Sequence, residues 1–195
     1  ADPRIYEIIQ SVSQERIGND ITTLAGFGTR HTLSDTVSST RGIGAARRWI
    51  KAEFDKISSD CGGCLEVFYQ RNLISKAENQ RIPRDVWVVN VIAIQRGSKF
   101  PNRLIMMSGD IDSRVSDAND ATSDSPGAND NASGMAGTLE AARVLSKYTF
   151  ENSIVYAGLS GEEQGLFGGR GLAAYARENN WELMGVLNND MIGNI

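Results

Sequence analysis

The sequence is poor in the residues that bind metals through nitrogen or sulfur. Its 195 residues include one histidine, His31, and two cysteines, Cys61 and Cys64. A structural zinc site of the zinc-finger kind needs four such ligands, and a second cysteine pair is lacking. A thioredoxin-like redox pair should open a helix after a strand, whereas this pair falls in a loop between a helix and a strand. We therefore favour a local disulfide, as in exported proteins, with free thiols as the alternative.

The sequence also lacks an excess of basic residues and long hydrophobic runs. Lysine and arginine together number 20 against 24 acidic residues, and they are scattered, so the sequence does not indicate a nucleic-acid partner. No apolar run approaches the ~18 residues that a membrane span requires, so no membrane partner is expected. The chain begins ADPRIYEI, without a basic-apolar leader. This fits a mature secreted or periplasmic protein, or a trimmed chain.

Hydrophobic periodicity predicts alternating strands and helices. Helices are expected over residues 3–16 and just beyond, 41–58 with Thr40 as the N-cap, 133–147 and 168–179. Strands are expected near residues 64–70, 85–96, 103–108, 153–159 and 185–189. This order predicts an α/β sandwich with a largely parallel core sheet. We assign residues 1–195 to a single domain, with N-terminal helices over 1–60 and the sheet and site over 64–195.

Acidic residues follow the predicted strands. Asp110, Glu162, Glu163 and Asp190 each lie just past the carboxyl end of a strand that we expect to be buried. Open α/β sheets bind their ligands at that edge. The intervening polar loop over 109–131 carries six aspartates and three asparagines, and loops of this length are uncommon without a function. These residues are therefore the candidates for the functional site.

Four segments carry a family resemblance: SGDIDS from Ser108, PGANDNASG from Pro126, SGEEQGL from Ser160 and NDMIG from Asn189. In this order and spacing they resemble the family-28 metallopeptidases, which are zinc-dependent exopeptidases. That family includes secreted aminopeptidases, glutamate carboxypeptidases and glutaminyl cyclases. The resemblance covers roughly residues 25 to 195. It implies a three-layer α/β/α sandwich around a mixed, largely parallel sheet, with two divalent ions at its centre.

The resemblance also implies a role for each acid. Asp130 falls on the carboxylate that bridges the two ions, Glu163 on a ligand of one ion and Asp190 on a ligand of the other. Glu162 falls on the general base. These roles are chemically sound, because two close dications need an anionic bridge and their shared water is a nucleophile near neutral pH. A glutamate beside that water can pass its proton to the leaving amine.

The sequence departs from the family pattern at two places. The family has His-x-Asp where this chain has Asp110-Ile111-Asp112, so we assign Asp110 as a substitute metal ligand. In the family the second acid of this motif accepts a hydrogen bond from the histidine and orients it. We assign Asp112 to the shell of residues around the metal ligands, where it needs a different hydrogen-bond partner. The family's last ligand is a histidine far downstream of the Asp190 position, whereas this chain ends at residue 195. We expect a C-terminally truncated form that lacks final strands, and we interpret His31 as structural or surface-exposed.

The ligand set bears on the metal and on function. Zinc is the family expectation, but ligands that are all oxygen also suit Mn²⁺, Mg²⁺ or Ca²⁺. We predict a metal-dependent exopeptidase, an aminopeptidase that hydrolyses N-terminal peptide bonds of peptide substrates with a metal-bridged water. The activity of these 195 residues alone is open. The alternative is a degenerate, non-catalytic member of the fold that acts as a binding or assembly domain, with possible homodimerisation through an exposed sheet edge.

Other interpretations fit less of the sequence. Each acid alone could cap a helix or sit in a turn. Asp110-x-Asp112 also resembles the start of a haloacid-dehalogenase phosphatase, but the other motifs remain unexplained. An EF-hand fails because Thr122 stands where glycine is required, and a serine-hydrolase elbow fails because Glu162 replaces its last glycine.

Overall fold

A computed structural model describes residues 2–193. They form one five-stranded sheet in the order β1-β2-β4-β3-β5. The strands are β1 (Leu65–Ile74), β2 (Val86–Gln95), β3 (Phe100–Asp110), β4 (Asn152–Leu159) and β5 (Glu182–Asn189). β1, β2 and β4 pair antiparallel, whereas β4, β3 and β5 run parallel. The expected mixed sheet is confirmed, with its parallel half at the β3 side.

Five α-helices accompany the sheet in this part of the chain. They are α1 (Pro3–Gln10), α2 (Gln14–Gly26), α3 (Gly42–Asp60), α4 (Gly134–Leu145) and α5 (Phe167–Glu178). An irregular segment, Ala128–Ser133, whose backbone is not helical at Asp130 and Asn131, leads into α4. The expected N-cap of α3 is wrong by one residue: Arg41 holds the cap position without a side-chain cap bond. The Thr40 backbone N–H instead donates to the Ser38 hydroxyl in the preceding turn.

The sheet is buried between two helical layers. On one face, α2, α3 and α4 pack Leu24, Phe54 and Met135 against alternate residues of β2 and β4, including Val91 and Tyr156. On the other face, Leu172 of α5 packs against the intervening residues, among them Ile92 and Val155. Successive side chains of a strand point to opposite faces of the sheet, and here both faces are covered by apolar side chains. The central strands are therefore continuously hydrophobic. The three-layer α/β/α sandwich expected from the sequence is confirmed.

Strand β5 differs from the expectation of a buried strand. Its side chains are exposed, with Leu183, Met184, Val186 and Leu187 each 40–58% accessible. β5 lies at the edge of the sheet, where in the described residues it pairs with β3 alone, and no described helix buries its side chains. Both apolar faces of this strand are therefore open.

Two further features bear on the sequence predictions. Cys61 and Cys64 form a disulfide in the loop between α3 and β1, as favoured above. Across residues 2–193, no helix combines the length and hydrophobicity needed to cross a membrane.

Candidate metal centre at the carboxyl ends of the parallel strands

The parallel strands bring three of the predicted site residues to one edge. Asp110 is the last residue of β3, Glu162 follows β4 by a short turn, and Asp190 directly follows β5. β4, β3 and β5 are adjacent and parallel, so their carboxyl ends meet. A cleft of about 130 Å³ forms there, and its lining includes these three carboxyl groups together with Leu159, Leu166, Gly169 and Asn188.

Asp130 reaches the same edge from the irregular segment before α4. Gly127, just before that segment, has a φ of 47°, a left-handed conformation that favours glycine. A Cβ on Gly127 would strike the Asp130 carbonyl oxygen, and one on Gly134 would strike the Asn189 carbonyl oxygen at the end of β5. The glycines of the GANDNASG motif thus allow the segment to pack directly against the strand ends. The Asp130 side chain remains exposed.

Asn131 joins the parts of this edge together. Its buried side-chain amide donates to Asp110 Oδ2 (3.2 Å) and to the Asn189 carbonyl oxygen (2.8 Å). Its Oδ1 accepts from the backbone N–H groups of Gly134 (3.1 Å) and Met191 (3.2 Å). One side chain therefore holds Asp110, the start of α4 and the backbone on both sides of Asp190.

The Asp112 side chain forms its hydrogen bonds with groups other than residue 110. Its buried carboxylate accepts hydrogen bonds from the Thr32 hydroxyl (2.9 Å) and from the backbone N–H groups of Glu162 (3.2 Å) and Glu163 (3.1 Å). Since those N–H groups belong to the turn after β4, Asp112 sets the position of both glutamates. These bonds connect Asp112 to the glutamate turn, and its support of a metal site remains a prediction.

A buried arginine lies behind the site. Arg30 is 1% exposed and directs its guanidinium at four main-chain carbonyl oxygens. These belong to Leu24 (3.0 Å), Ile111 (2.8 Å), Pro126 (2.6 Å) and Gly127 (2.9 Å). Ile111 separates Asp110 from Asp112, and Gly127 precedes the segment of Asp130. Arg30 therefore ties together the two chain segments that carry these acids.

Glu163 makes a strong ion pair within the site. Its Oε2 accepts from Arg114 Nε at 2.6 Å, and both side chains are largely buried. The second nitrogen of the Arg114 guanidinium, Nη1, donates to the carbonyl oxygens of Val115 and Ser116, at 3.2 Å each. A positive charge is thus built into an otherwise acidic edge.

The only histidine is structural, as expected. His31 is fully buried, its Nδ1 accepts from the Leu33 N–H (3.1 Å), and its Nε2 pairs with the Ala118 carbonyl oxygen (3.0 Å). Because Nδ1 is an acceptor, Nε2 carries the hydrogen. His31 holds the polar loop in place and is already satisfied by these partners.

This sequence matches the model of peptidase family M28 over residues 90–195, which is more than half of the chain. The chain belongs to peptidase family M28. A probable zinc metalloprotease of Leptosphaeria maculans is 44% identical over 192 residues, covering 98% of this chain and 44% of the relative. One from Pyrenophora teres is also 44% identical, covering 98% and 39%. The chain thus spans less than half the length of these M28 relatives.

Solved structures share the M28 fold of this chain. LapB from Legionella pneumophila superposes with a TM-score of 0.74 at 19% identity, covering 97% of this chain and 46% of LapB. An aminopeptidase from Aneurinibacillus sp. strain AM-1 gives 0.67 at 16% identity, covering 93% and 71%. At these identities the comparison confirms the fold.

The acidic edge raises the pKa of its own carboxyl groups. Burial, aided by the negative charges of Asp112, Glu162 and Asp190, raises the pKa of Asp110 to about 7. Burial and neighbouring acids, first Asp112, likewise raise the pKa of Glu162 to about 7. Burial also raises the pKa of Asp130, with contributions from Glu163 and Asp190 that Arg114 and Arg30 oppose. The edge therefore carries more negative charge than its surroundings balance.

The donor chemistry of this edge fits a divalent cation of the kind that M28 peptidases use. Carboxylate oxygens are ligands for zinc and for harder divalent ions, and a bound cation relieves the repulsion among them. As the side chains are arranged, no three His, Cys, Asp or Glu residues within 2–193 converge closely enough to enclose an ion. Asp110, Asp130, Glu163 and Asp190 are the residues that would hold it, and their assignment remains a prediction.

The raised pKa of Asp110 predicts a dependence of stability on pH in the metal-free chain. The folded state holds this proton up to pH 7, whereas an unfolded aspartate releases it near its ordinary pKa of 3.8. The stabilisation is thus complete below about pH 4 and is lost as the pH rises through 7. We expect Asp110→Asn to stabilise the chain at pH 8 by on the order of 2–4 kcal/mol relative to its effect at pH 5.

Urea unfolding in EDTA at both pH values measures this difference. Asp117→Asn, at an exposed position in the polar loop, serves as the control. Equal effects of Asp110→Asn at the two pH values would contradict the raised pKa.

Four residues of this site escaped the sequence analysis: Thr32, Arg30, Arg114 and Asn131. Asn131 lies within the PGANDNASG motif and Arg114 directly follows SGDIDS, so their polarity at these positions was a usable signal. Thr32 and Arg30 come from a loop about 80 residues away in sequence, and no local pattern connects them to Asp112 or Ile111.

Proposed function

We propose that this chain carries the catalytic centre of a metal-dependent exopeptidase, an aminopeptidase that hydrolyses the N-terminal bonds of peptides. The observation that carries the proposal is the placement of Glu162. Its carboxyl group lines the cleft that Asp110 and Asp190 also line, and Asp112 holds its backbone. A glutamate in this position has the chemistry of a general base.

Two divalent ions, zinc by family membership, would be held by Asp110, Asp130, Glu163 and Asp190. Bound ions supply Lewis acidity at the peptide carbonyl and a water of lowered pKa. Glu162 then accepts a proton and returns it to the leaving amine. In the metal-free chain, burial and then the nearby acids, first Asp112, raise the pKa of this carboxyl to about 7.

The likeness to solved aminopeptidases of the same fold, among them the one from Aneurinibacillus sp. strain AM-1, supports the aminopeptidase. This support leaves the preferred side chain open.

Metal uptake and peptidase activity test the proposal together. The longest natural polypeptide that contains residues 1–195 is assayed for bound metal by elemental analysis, and for hydrolysis of amino-acid anilides with Zn²⁺ or Mn²⁺. Hydrolysis of the free anilides but not of N-acetylated ones is expected. Metal uptake without hydrolysis of either substrate would contradict the enzyme.

Metal uptake without hydrolysis would favour a non-catalytic binding domain of the same fold. One observation points in this direction: the Arg114–Glu163 ion pair occupies a residue that the family uses for metal binding. The retention of Glu162 at the cleft favours the enzyme, because a binding domain has no use for a general base.

The location and the assembly state are further proposals. A secreted or periplasmic location is supported by the Cys61–Cys64 disulfide, which persists in oxidising compartments. Pairing of two chains through the open edge of β5 is supported by its exposed apolar residues. Light scattering at micromolar concentration should then detect a dimer of the 195-residue chain, and a monomer would rule this pairing out.

A further inference from the structure

Arg114 makes the four predicted metal ligands unequal. One half comprises Glu163, which pairs with Arg114 Nε at 2.6 Å, and Asp130, whose pKa the charges of Arg114 and Arg30 act to lower. The other half comprises Asp110 and Asp190, which line the same cleft. The charges that act on Asp110 come from Asp112, Glu162 and Asp190, and all of them are negative.

The Arg114–Glu163 pair is well placed to persist in the metal-free protein. The Arg114 side chain is 29% exposed and that of Glu163 is 15% exposed, so water screens the pair only in part. The same guanidinium also donates to the carbonyl oxygens of Val115 and Ser116, which holds it in position. A charge-assisted bond of this length is among the stronger hydrogen bonds in proteins.

A divalent cation at Glu163 would have to compete with this guanidinium. Arg114 already occupies Oε2 of this carboxylate, and a second cation bound to the same carboxylate group would be repelled by the guanidinium charge. At the Asp110 and Asp190 side a cation meets negative charges that attract it. The two halves should therefore differ in their affinity for metal.

We propose that Arg114 is a built-in counter-ion that competes with a divalent cation for Glu163, so that the Asp110–Asp190 half binds metal first and more tightly. The inference rests on the proposed function in one respect, namely that these carboxylates bind metal. It adds an order of binding and names the residue that sets it.

The test counts bound Mn²⁺ by electron paramagnetic resonance while the metal-free form of the longest natural polypeptide that contains residues 1–195 is titrated with MnCl₂. The wild-type chain is expected to take up one ion tightly and a second weakly. Arg114→Gln should tighten the second uptake by about tenfold, the order expected on removing one partly buried charge-assisted pair, and leave the first unchanged. Arg114→Lys keeps the charge and should keep the second uptake weak.

Arg81→Gln is the matched control. Arg81 also donates to Glu163, but to its main-chain carbonyl oxygen (2.8 Å). The Arg81→Gln variant therefore removes a positive charge close to Glu163 and leaves the bond between Arg114 and the Glu163 carboxylate in place. Both uptakes should stay within about threefold of the wild type. A similar gain in Arg81→Gln would mean that general charge, and not competition at Glu163, sets the affinity.

A second measurement does not depend on metal. In the metal-free chain Arg114→Gln should lower the melting temperature at low salt, because the acidic edge loses a neutralising charge. The loss should shrink at high ionic strength, because salt partly screens the attraction between Arg114 and the surrounding acids. An unchanged melting temperature at low salt would overturn the counter-ion role.

The outcomes separate this inference from the proposed function. Two equally tight uptakes in the wild type, or a second uptake in Arg114→Gln that is no tighter than in the wild type, would overturn the inference and leave the metal site intact. No uptake of Mn²⁺ by the wild type or by Arg114→Gln would overturn the metal site of the proposed function. The proposed competition between Arg114 and a metal ion would then be overturned as well.

Discussion

Glu162→Gln should lower kcat/KM for amino-acid anilides by about 10³-fold, within the range of general acid–base catalysis. The amide keeps the size of the side chain but cannot take up a proton. The backbone N–H of residue 162 still donates to Asp112, so the turn after β4 should keep its position. Metal uptake should therefore stay close to that of the wild type, and the loss should appear in kcat.

Two further variants make this result specific. Glu163→Gln changes the neighbouring residue, a predicted metal ligand, and should reduce activity together with metal uptake. Glu178→Gln, at the exposed end of α5, should change neither. If Glu162→Gln retained more than about a tenth of the activity, the assignment of the general base would be wrong.

Arg30→Met is expected to cause the largest loss of stability, on the order of 3 kcal/mol. Methionine fills much of the space but removes the Arg30 donor from the carbonyl oxygens of Leu24, Ile111, Pro126 and Gly127. Those of Leu24 and Gly127 keep a main-chain donor, from Phe27 (3.3 Å) and Ala132 (3.0 Å). Each buried acceptor that loses its partner costs about 1–3 kcal/mol, partly offset because no charge is buried any longer. Urea unfolding followed by circular dichroism measures the loss.

Arg48→Met is the matched control, because Arg48 also donates to several main-chain carbonyl oxygens but from an exposed position. Water can replace those bonds, so we expect a loss below about 1 kcal/mol. If Arg30→Met does not fold, Arg30→Lys provides an intermediate case, since lysine keeps the charge and some of the donors. A loss of stability no larger than that of Arg48→Met would show that the four contacts of Arg30 are not important.

The arrangement of the site could be predicted in outline because the strands are strongly patterned. The apolar runs around Val91 and Val155 identify central strands, and acids that follow such strands belong at the carboxyl edge of a parallel sheet. The same reasoning erred for β5, whose apolar residues suggested burial. Hydrophobicity shows that a strand can be covered, but not what covers it.

The partners of the acids could not be predicted, because they depend on contacts between distant segments. Asp112 has the same identity whether it orients a ligand or holds the glutamate turn, and only the approach of Thr32 and the turn after β4 decides between these roles. The Arg114–Glu163 pair is similar, since 49 residues separate its members in the sequence.

By itself, then, the sequence determined the alternation of strands and helices, the family motifs and the acidic residues at strand ends, since these depend on local periodicity and residue type. Tertiary structure alone decided that β4 lies between β2 and β3, that Asn131 joins Asp110 to the end of β5, and that an arginine pairs with Glu163. The physical reason is that strand order and buried hydrogen bonds are chosen by packing across the whole domain, where each polar group takes the partner that burial brings to it.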